Sequence, residues 1–304
     1  MKAAELRRHG GRASYELDAV AEVFADSFLA HVSFVDGGRP QCLPMIAVVA
    51  AIEGAAPAVY LHGHPSARLM ELVRAREGMR RARGEDGDAG AGEVTHVEGP
   101  NDKVKEEAQG EPKGHENLDD DEGKDDDRFP IPGDQEIRLT NAWATPCAAR
   151  CNTVDALVLS SAPNGHTFNY RSAVIHGACT PVIDAGAKRE VMRRVTDHIM
   201  AGRWDDVNPI SSARLALVQI IRVDILALSL KHRTSIPVIQ PRNPEKDGPD
   251  REEPVWTGVV PLHEVLEQPI PSGLTDDAVV PKGLLVFIET RNERHLKSSM
   301  SSVR

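Results

Sequence analysis

Residues 58–73 read AVYLHGHPSARLMELV. The run AVYL predicts a strand, Gly63 breaks it, and the chain restarts as a helix expected over 65–76. Pro65 suits the first turn, where its missing N–H costs nothing. Leu69, Leu72 and Val73 then fall on one apolar face. Ser66 and Arg68 follow the break closely. A cation at the positive end of a helix dipole is disfavoured unless an anion sits there as well. Free amides at a helix start, a serine hydroxyl and an arginine form a phosphate cradle. The same two residues also read as ordinary solvated side chains of a first turn. A second string, FNYRSAVIHG at 168–177, sets Asn, Tyr, Arg and Ser just ahead of an apolar strand.

Working outward, residues 14–27 carry Leu17, Val20, Ala21 and Phe24 at helical spacing. Val32 and Phe34 mark a strand, Asp36-Gly37-Gly38 turns it, and 41–52 return as a hairpin partner. Residues 78–135 are rich in Gly, Asp, Glu and Lys with few large apolar groups, which predicts a disordered acidic insertion. Strand character resumes at EIRL (136–139), at 154–161 and at 169–184, with Gly165 in the turn before the last. A helix is expected over 185–200 from Val191, Val195 and Ile199, and apolar strand-like runs over 214–230. A polar linker (238–253) precedes PVWTGVVPLHEV, and 273–304 reads as a poorly structured tail. The organisation expected is therefore a barrel begun in 1–77, interrupted by 78–135 and completed in 136–272. The fold class is mainly β with helices, an antiparallel sheet or barrel. With no G-x-G-x-x-G in the chain, a Rossmann site is disfavoured.

Composition narrows the function. A net charge of −10 has the wrong sign for a phosphate-backbone binder, and 4% aromatic content argues against stacking on single strands, so no nucleic acid is expected. The charge is uneven: 101–128 hold twelve Asp/Glu against five Lys/Arg, which reads as a solvated tether. No window is apolar enough for a membrane span, and the N-terminus has no apolar core of a secretory signal. Four cysteines without ligand spacing predict free thiols, no metal site and a cytoplasmic location.

Taken in order, HVSFVDGGRPQCLPM, VYLHGHPSARLM, VDALVLSSAPNGHTFNYRSAVIHGACTPVID, GRWDDV, KHRTSIP and VWTGVVPLHEVLEQPIPSG resemble the pyridoxamine 5′-phosphate oxidase-like, FMN-binding split-barrel proteins. The branch most similar is that of flavin-nucleotide-binding proteins related to nitroimidazole-resistance reductases. The resemblance implies an antiparallel split β-barrel of about six strands, pairing into a homodimer with FMN at the interface. It implies that Ser66 and Arg68 hold the FMN phosphate, with His62 and Gly63 near the ribityl and phosphate region. Pro44, Met45 and Ile46 would run along the flavin ring, Arg171 and Ser172 would approach from its other side, and Trp256 would come near the flavin. The implied activity is that of a flavoprotein oxidoreductase acting on a small-molecule substrate, with NAD(P)H a candidate hydride source. The alternative is a non-enzymatic flavin- or haem-binding module for storage or sensing.

No side chain stands out as an obligatory acid or base. His62 and His166 are the catalytic candidates, and each reads equally as a structural histidine. Tyr170 reads as a flavin neighbour or barrel core, and Lys231 and Arg233 as solvated loop charges. The chain departs from the family pattern at NAWATPCAARCNT (141–153), which lengthens a short connection. It departs again at Asp155-Ala156, where the family has Asp-Gly.

Overall fold

The computed structural model describes Leu6 and residues 10–83, 145–238, 255–275 and 278–303. The expected insertion beyond residue 83, the strand EIRL and nearly all of the polar linker lie outside the described residues. In chain order the elements are β1 (Ala13–Ser14), α1 (Leu17–Asp26), β2 (Ala30–Asp36), β3 (Arg39–Ala50), β4 (Ala58–Gly63) and α2 (Arg68–Ala82). After them come β5 (Thr145–Leu159), β6 (Thr167–Pro181), α3 (Ala185–Ile199), α4 (Arg203–Asp206), α5 (Ser212–Leu217), β7 (Gln219–Arg233), β8 (Gly258–Pro261) and α6 (Lys282–Ser301).

Strands β7, β4, β3, β2, β5 and β6 pair antiparallel in that order, and β6 returns to β7. The six expected strands thus close a ring. It is not a clean barrel, because β5, β6 and β7 are 15 residues each and overrun their shorter neighbours. On the overrun, β1 joins β7 and β8 joins β5. The β2–β3 turn works because Gly37 and Gly38 adopt φ of 55° and 77°, which a residue with a Cβ resists.

Alternation along the strands sorts the side chains. Val32, Met45, Leu61, Ala149, Ile175 and Val223 point inward and are buried, with Val20 and Phe24 of α1 and Leu69 and Val73 of α2 completing that core. Small residues on β5, Cys147, Ala149 and Cys151, leave the room that the helices fill. The next residues along β3 and β4, Val48, Ala50, Ala58 and Tyr60, face outward, where Val191 and Val195 of α3 cover them in a second core. Three of the four cysteines are buried and only Cys42 is exposed.

Three expectations need correction. The helix expected over 65–76, α2, begins at Arg68, not Pro65, and runs to Ala82 rather than stopping at 76. Residues His64–Ala67 form a turn closed by Ala67 N–H donating to His64 O at 2.9 Å, and Glu77 ion pairs with Arg80 and Arg81 carry the helix onward. The residues 145–153 belong to the unbroken strand β5, not to a connection. The tail after 273 contains the 20-residue helix α6, which α1 and the strands hold through polar contacts. No helix among the described residues is long and apolar enough to cross a membrane.

Candidate functional site

The sequence-predicted residues gather into two groups. The first surrounds the start of α2. Ala67 is its N-cap and offers no side-chain cap, so the first amides of the helix lack a side-chain acceptor. Ser66 Oγ lies 2.7 Å from His64 Nδ1, in the turn just ahead of these amides. Arg68 leaves the first helical position and pairs with Asp36, Nε to Oδ2 at 2.6 Å and Nη2 to Oδ1 at 2.9 Å. It also reaches Glu71 at 3.3 Å. Those hydrogen bonds hold the Asp36 carboxyl below the usual carboxylate range.

Gly63 has a packing reason. A Cβ there would stand 2.9 Å from Met70 Cε and 3.0 Å from Met45 Cε, so the glycine lets α2 close upon β3. Met45 is buried inward, whereas Pro44 is exposed and Ile46 packs in the second core. His62 sits opposite Ile46 and Ile220, on the outer face with Tyr60. It is half-buried, and desolvation pushes its imidazole toward the neutral form. Pro44, Met45, Ile46, His62, Gly63, Ser66 and Arg68 thus belong to one end of the ring.

The second group lies on the overrun of β5, β6 and β7. Arg171 donates to Asp155 at 3.0 and 3.2 Å and to Asp26 at 2.9 Å. Burial works against its charge, but the hydrogen bonds from the two carboxylates more than offset that and favour the charged guanidinium. Asp26 also pairs with Arg294 of α6 at 2.9 Å. Ser172 is half-buried between Asn152 and Lys231. His166 is exposed and its Nδ1 lies 3.0 Å from Ala162 O, across the β5–β6 turn. Trp256 is 64% exposed, its indole lying over Gly258, whose missing side chain makes the contact possible. Lys231 and Arg233 are strand residues. Arg233 is buried and donates to Asn169 Oδ1 at 2.9 Å, which replaces the solvated loop expected for it.

Gly63 stands opposite Gln219 and Ser172 opposite Lys231, twelve residues further along β7. Around the other side of the ring the two groups are nearer: Ser172 pairs with Asn152 on β5, Arg150 with His31 on β2, and His31 with Pro44 on β3. At about 4.8 Å per strand, Pro44 and Ser172 are therefore roughly 15–20 Å apart across three strands. Sequence reasoning missed the Asp26–Arg171–Asp155 cluster, although a signal existed. An aspartate inside the apolar run VDALVL cannot be buried without a cation. It also missed Asn169, whose amide donates to Ser235 O and Ser302 O at 3.0 and 2.8 Å and ties the end of the chain to β6. Among the described residues no cluster of His, Cys, Asp and Glu could hold a metal ion.

The fold defines a class, the antiparallel split barrel with helical additions. Within that class the chain resembles the pyridoxamine 5′-phosphate oxidase-like proteins, and residues 131–232 match the family model described as pyridoxamine 5′-phosphate oxidase. No curated protein matches the chain. Among solved structures it is similar to a flavocytochrome from Azotobacter vinelandii, at 19% identity over 93% of this chain and 94% of that one, with a TM-score of 0.59. It is also similar to an FAD and haem binding protein from Mycobacterium smegmatis, at 16% identity over 91% and 97%, again with a TM-score of 0.59. At such identities the likeness is one of fold.

Proposed function

We propose that this chain is a flavin-binding protein acting as an oxidoreductase on a small molecule in the cytoplasm, with FMN as the flavin and a homodimer as the working form. The observation that carries the reading is the start of α2. The Ser66 hydroxyl and the Arg68 guanidinium flank Ala67 at the uncapped start of α2, where Gly63 lets the helix close upon β3. That donor set suits a phosphate monoester or diphosphate, so FMN and FAD share the chemistry it recognises. The relatives named above, a flavocytochrome and an FAD and haem binding protein, support a flavin in a fold of this kind.

A bound flavin would supply the redox chemistry, taking hydride from a donor such as NAD(P)H and passing electrons to a second substrate. The chain's own part is placement. Arg68 and the α2 amides would fix the phosphate, and Pro44, Met45 and Ile46 would line the route of the ring. His62 would present a neutral imidazole as donor or acceptor. Arg171 and Ser172, about three strands from Pro44 around the ring, and Trp256 would approach the flavin from its other side, at the homodimer interface.

Haem is the second reading. His62 and His176 are both half-buried, both pushed toward the neutral form by burial, and neither imidazole makes a hydrogen bond among the described residues. Neutral imidazoles of this sort are the ligands haem iron takes. The absorption spectrum of the purified protein tests both readings. Flavin maxima, with FMN or FAD identified after acid release, support the first, and a Soret band supports the second. A protein that takes up neither cofactor when offered both refutes the proposal, and a flavin that neither NADH nor NADPH reduces leaves a storage or sensing role.

A further inference from the structure

Strand register brings two buried thiols together. Cys147 on β5 stands opposite Gly177 on β6, and Cys179 stands opposite Thr145. The two cysteines are therefore diagonal neighbours across the ladder. Alternation turns both of them, with Thr145, to the inward face, in the core that Leu69 and Val73 of α2 complete. Gly177 carries no side chain to stand between them. Cys179 donates its S–H to Cys147 Sγ at 3.0 Å, nearer than the roughly 3.5–4.0 Å that even two carbons prefer. Cys147 is 6% exposed and Cys179 2%. The third buried thiol, Cys151, lies roughly 13 Å further along β5 and donates to the Leu29 carbonyl at 3.8 Å instead.

A second observation points to a guest. Thr145 is 2% exposed, yet its Oγ1 has no hydrogen-bond partner among the described residues. A buried hydroxyl left unsatisfied is costly, and this one stands beside Cys179 across the ladder. Such a place suits a small neutral molecule that can take a hydrogen bond and accept electrons. Hydrogen peroxide is scarcely larger than water and carries no charge to desolvate. We infer that Cys147, Cys179 and Thr145 form a peroxide-reactive dithiol site that closes to a disulfide. The Cys147 sulfur attacks one peroxide oxygen, the O–O bond breaks, and the departing hydroxide leaves as water with the Cys147 proton. The Cys179 sulfur then attacks the sulfenic acid so formed. The S–S bond closes, and the hydroxyl leaves with the Cys179 proton as a second water. Peroxide gains the two electrons that the thiols lose, and Thr145 donates to the departing oxygen. The hydrogen bond to Cys147, with burial, pushes the Cys179 thiol well above its ordinary range, so Cys179 stays protonated and Cys147 makes the attack. The link closes a loop of 32 residues and ties the start of β5 to the end of β6. None of this depends on a bound flavin.

The test uses the full-length protein, reduced, freed of reductant, treated with a slight excess of hydrogen peroxide, then unfolded and alkylated. Mass spectrometry should show the loss of two hydrogens and a linked Cys147–Cys179 peptide, with Cys42 and Cys151 alkylated. Dithiothreitol should reverse the change. The linked protein should melt about 5 °C or more above the reduced one. Cys179→Ser should trap a sulfenic acid on Cys147 that dimedone labels. Thr145→Val should slow linkage about ten-fold, the effect of one hydrogen bond, and Thr145→Ser should restore the rate. Four alkylated cysteines after peroxide treatment, or a link through Cys42 or Cys151, overturns the site. So does a link formed as fast by DTNB, a bulky anionic disulfide, since the thiols would then react only in an opened chain. A wild-type rate in Thr145→Val overturns the role given to the hydroxyl.

Discussion

Arg68 and Asp36 form a two-point ion pair that joins the first turn of α2 to the β2–β3 turn, with Nε–Oδ2 at 2.6 Å and Nη2–Oδ1 at 2.9 Å. The residue placed to receive a phosphate is thus already facing a carboxylate, and an arriving anion has to share or displace it. Asp36→Asn should therefore tighten flavin binding about two- to five-fold, in keeping with an exposed ion pair. Arg68→Ala should sharply weaken it without unfolding the domain. Flavin titration by fluorescence reads both, and unchanged binding in Arg68→Ala would remove this turn from the site. Because Arg68 depresses the Asp36 pKa, the carboxylate still competes at mildly acid pH. Its competition fades only as pH falls through that lowered value, below the usual 3.8.

Arg171 makes a different case. Its side chain is 20% exposed, and Asp155 and Asp26 beside it are 6% and 11% exposed. Truncation to alanine leaves two nearly buried carboxylates without this partner. Urea unfolding of Arg171→Ala should show a loss of about 3 kcal/mol, the cost of breaking a buried pair. If flavin affinity drops while stability holds, Arg171 acts as a ligand instead of a brace.

Two glycines separate close approach from tight packing. A methyl at Gly177 would run into the Asp224 carbonyl and Val223 Cγ1, on backbone held in the β6–β7 ladder. At Gly63 it would meet only the mobile tips of Met70 and Met45. Gly177→Ala should cost about 2–3 kcal/mol and Gly63→Ala under about 1 kcal/mol, both measurable by denaturant midpoints. Equal costs would mean that the methionine tips cannot yield.

Burial lowers the pKa of His62, His176, His198 and His295 below 6.5. The unfolded chain then binds protons before the folded one does, so stability should fall as pH drops from 7 toward 5. His295 contributes an Nε2 that is buried without a partner. Replacing it with leucine should flatten the slope by at most about 1.4 kcal/mol per pH unit. An unchanged slope would show that His295 is protonated or solvated in the folded protein.

The strands were readable because their apolar alternation and turn residues lie close together in the chain. VYL ending at Gly63, Asp36-Gly37-Gly38 and the turn at Gly165 all mark their elements within a residue or two. What local pattern could not show was any feature set by a distant partner. TPCAARCNT has no strong strand alternation, yet it pairs with β2 on one side and β6 on the other. RNERHLKSSM reads as a solvated tail because its buried residues are Arg291, His295 and Ser299. The helix there depends on Asp26 and Phe28, both far away in sequence. The two candidate site strings were each visible, but how the ring spaces them follows from strand register, which neither string carries.

The solitary exposed thiol gives the molecule a practical property. Cys42 stands opposite Ser33, on the strand that continues to Met45 and leads back to Asp36, while the other three sulfhydryls are shielded. A maleimide dye should therefore couple at one place in the unaltered chain, close to the α2 turn. Its emission would report occupancy of that turn without any engineered label.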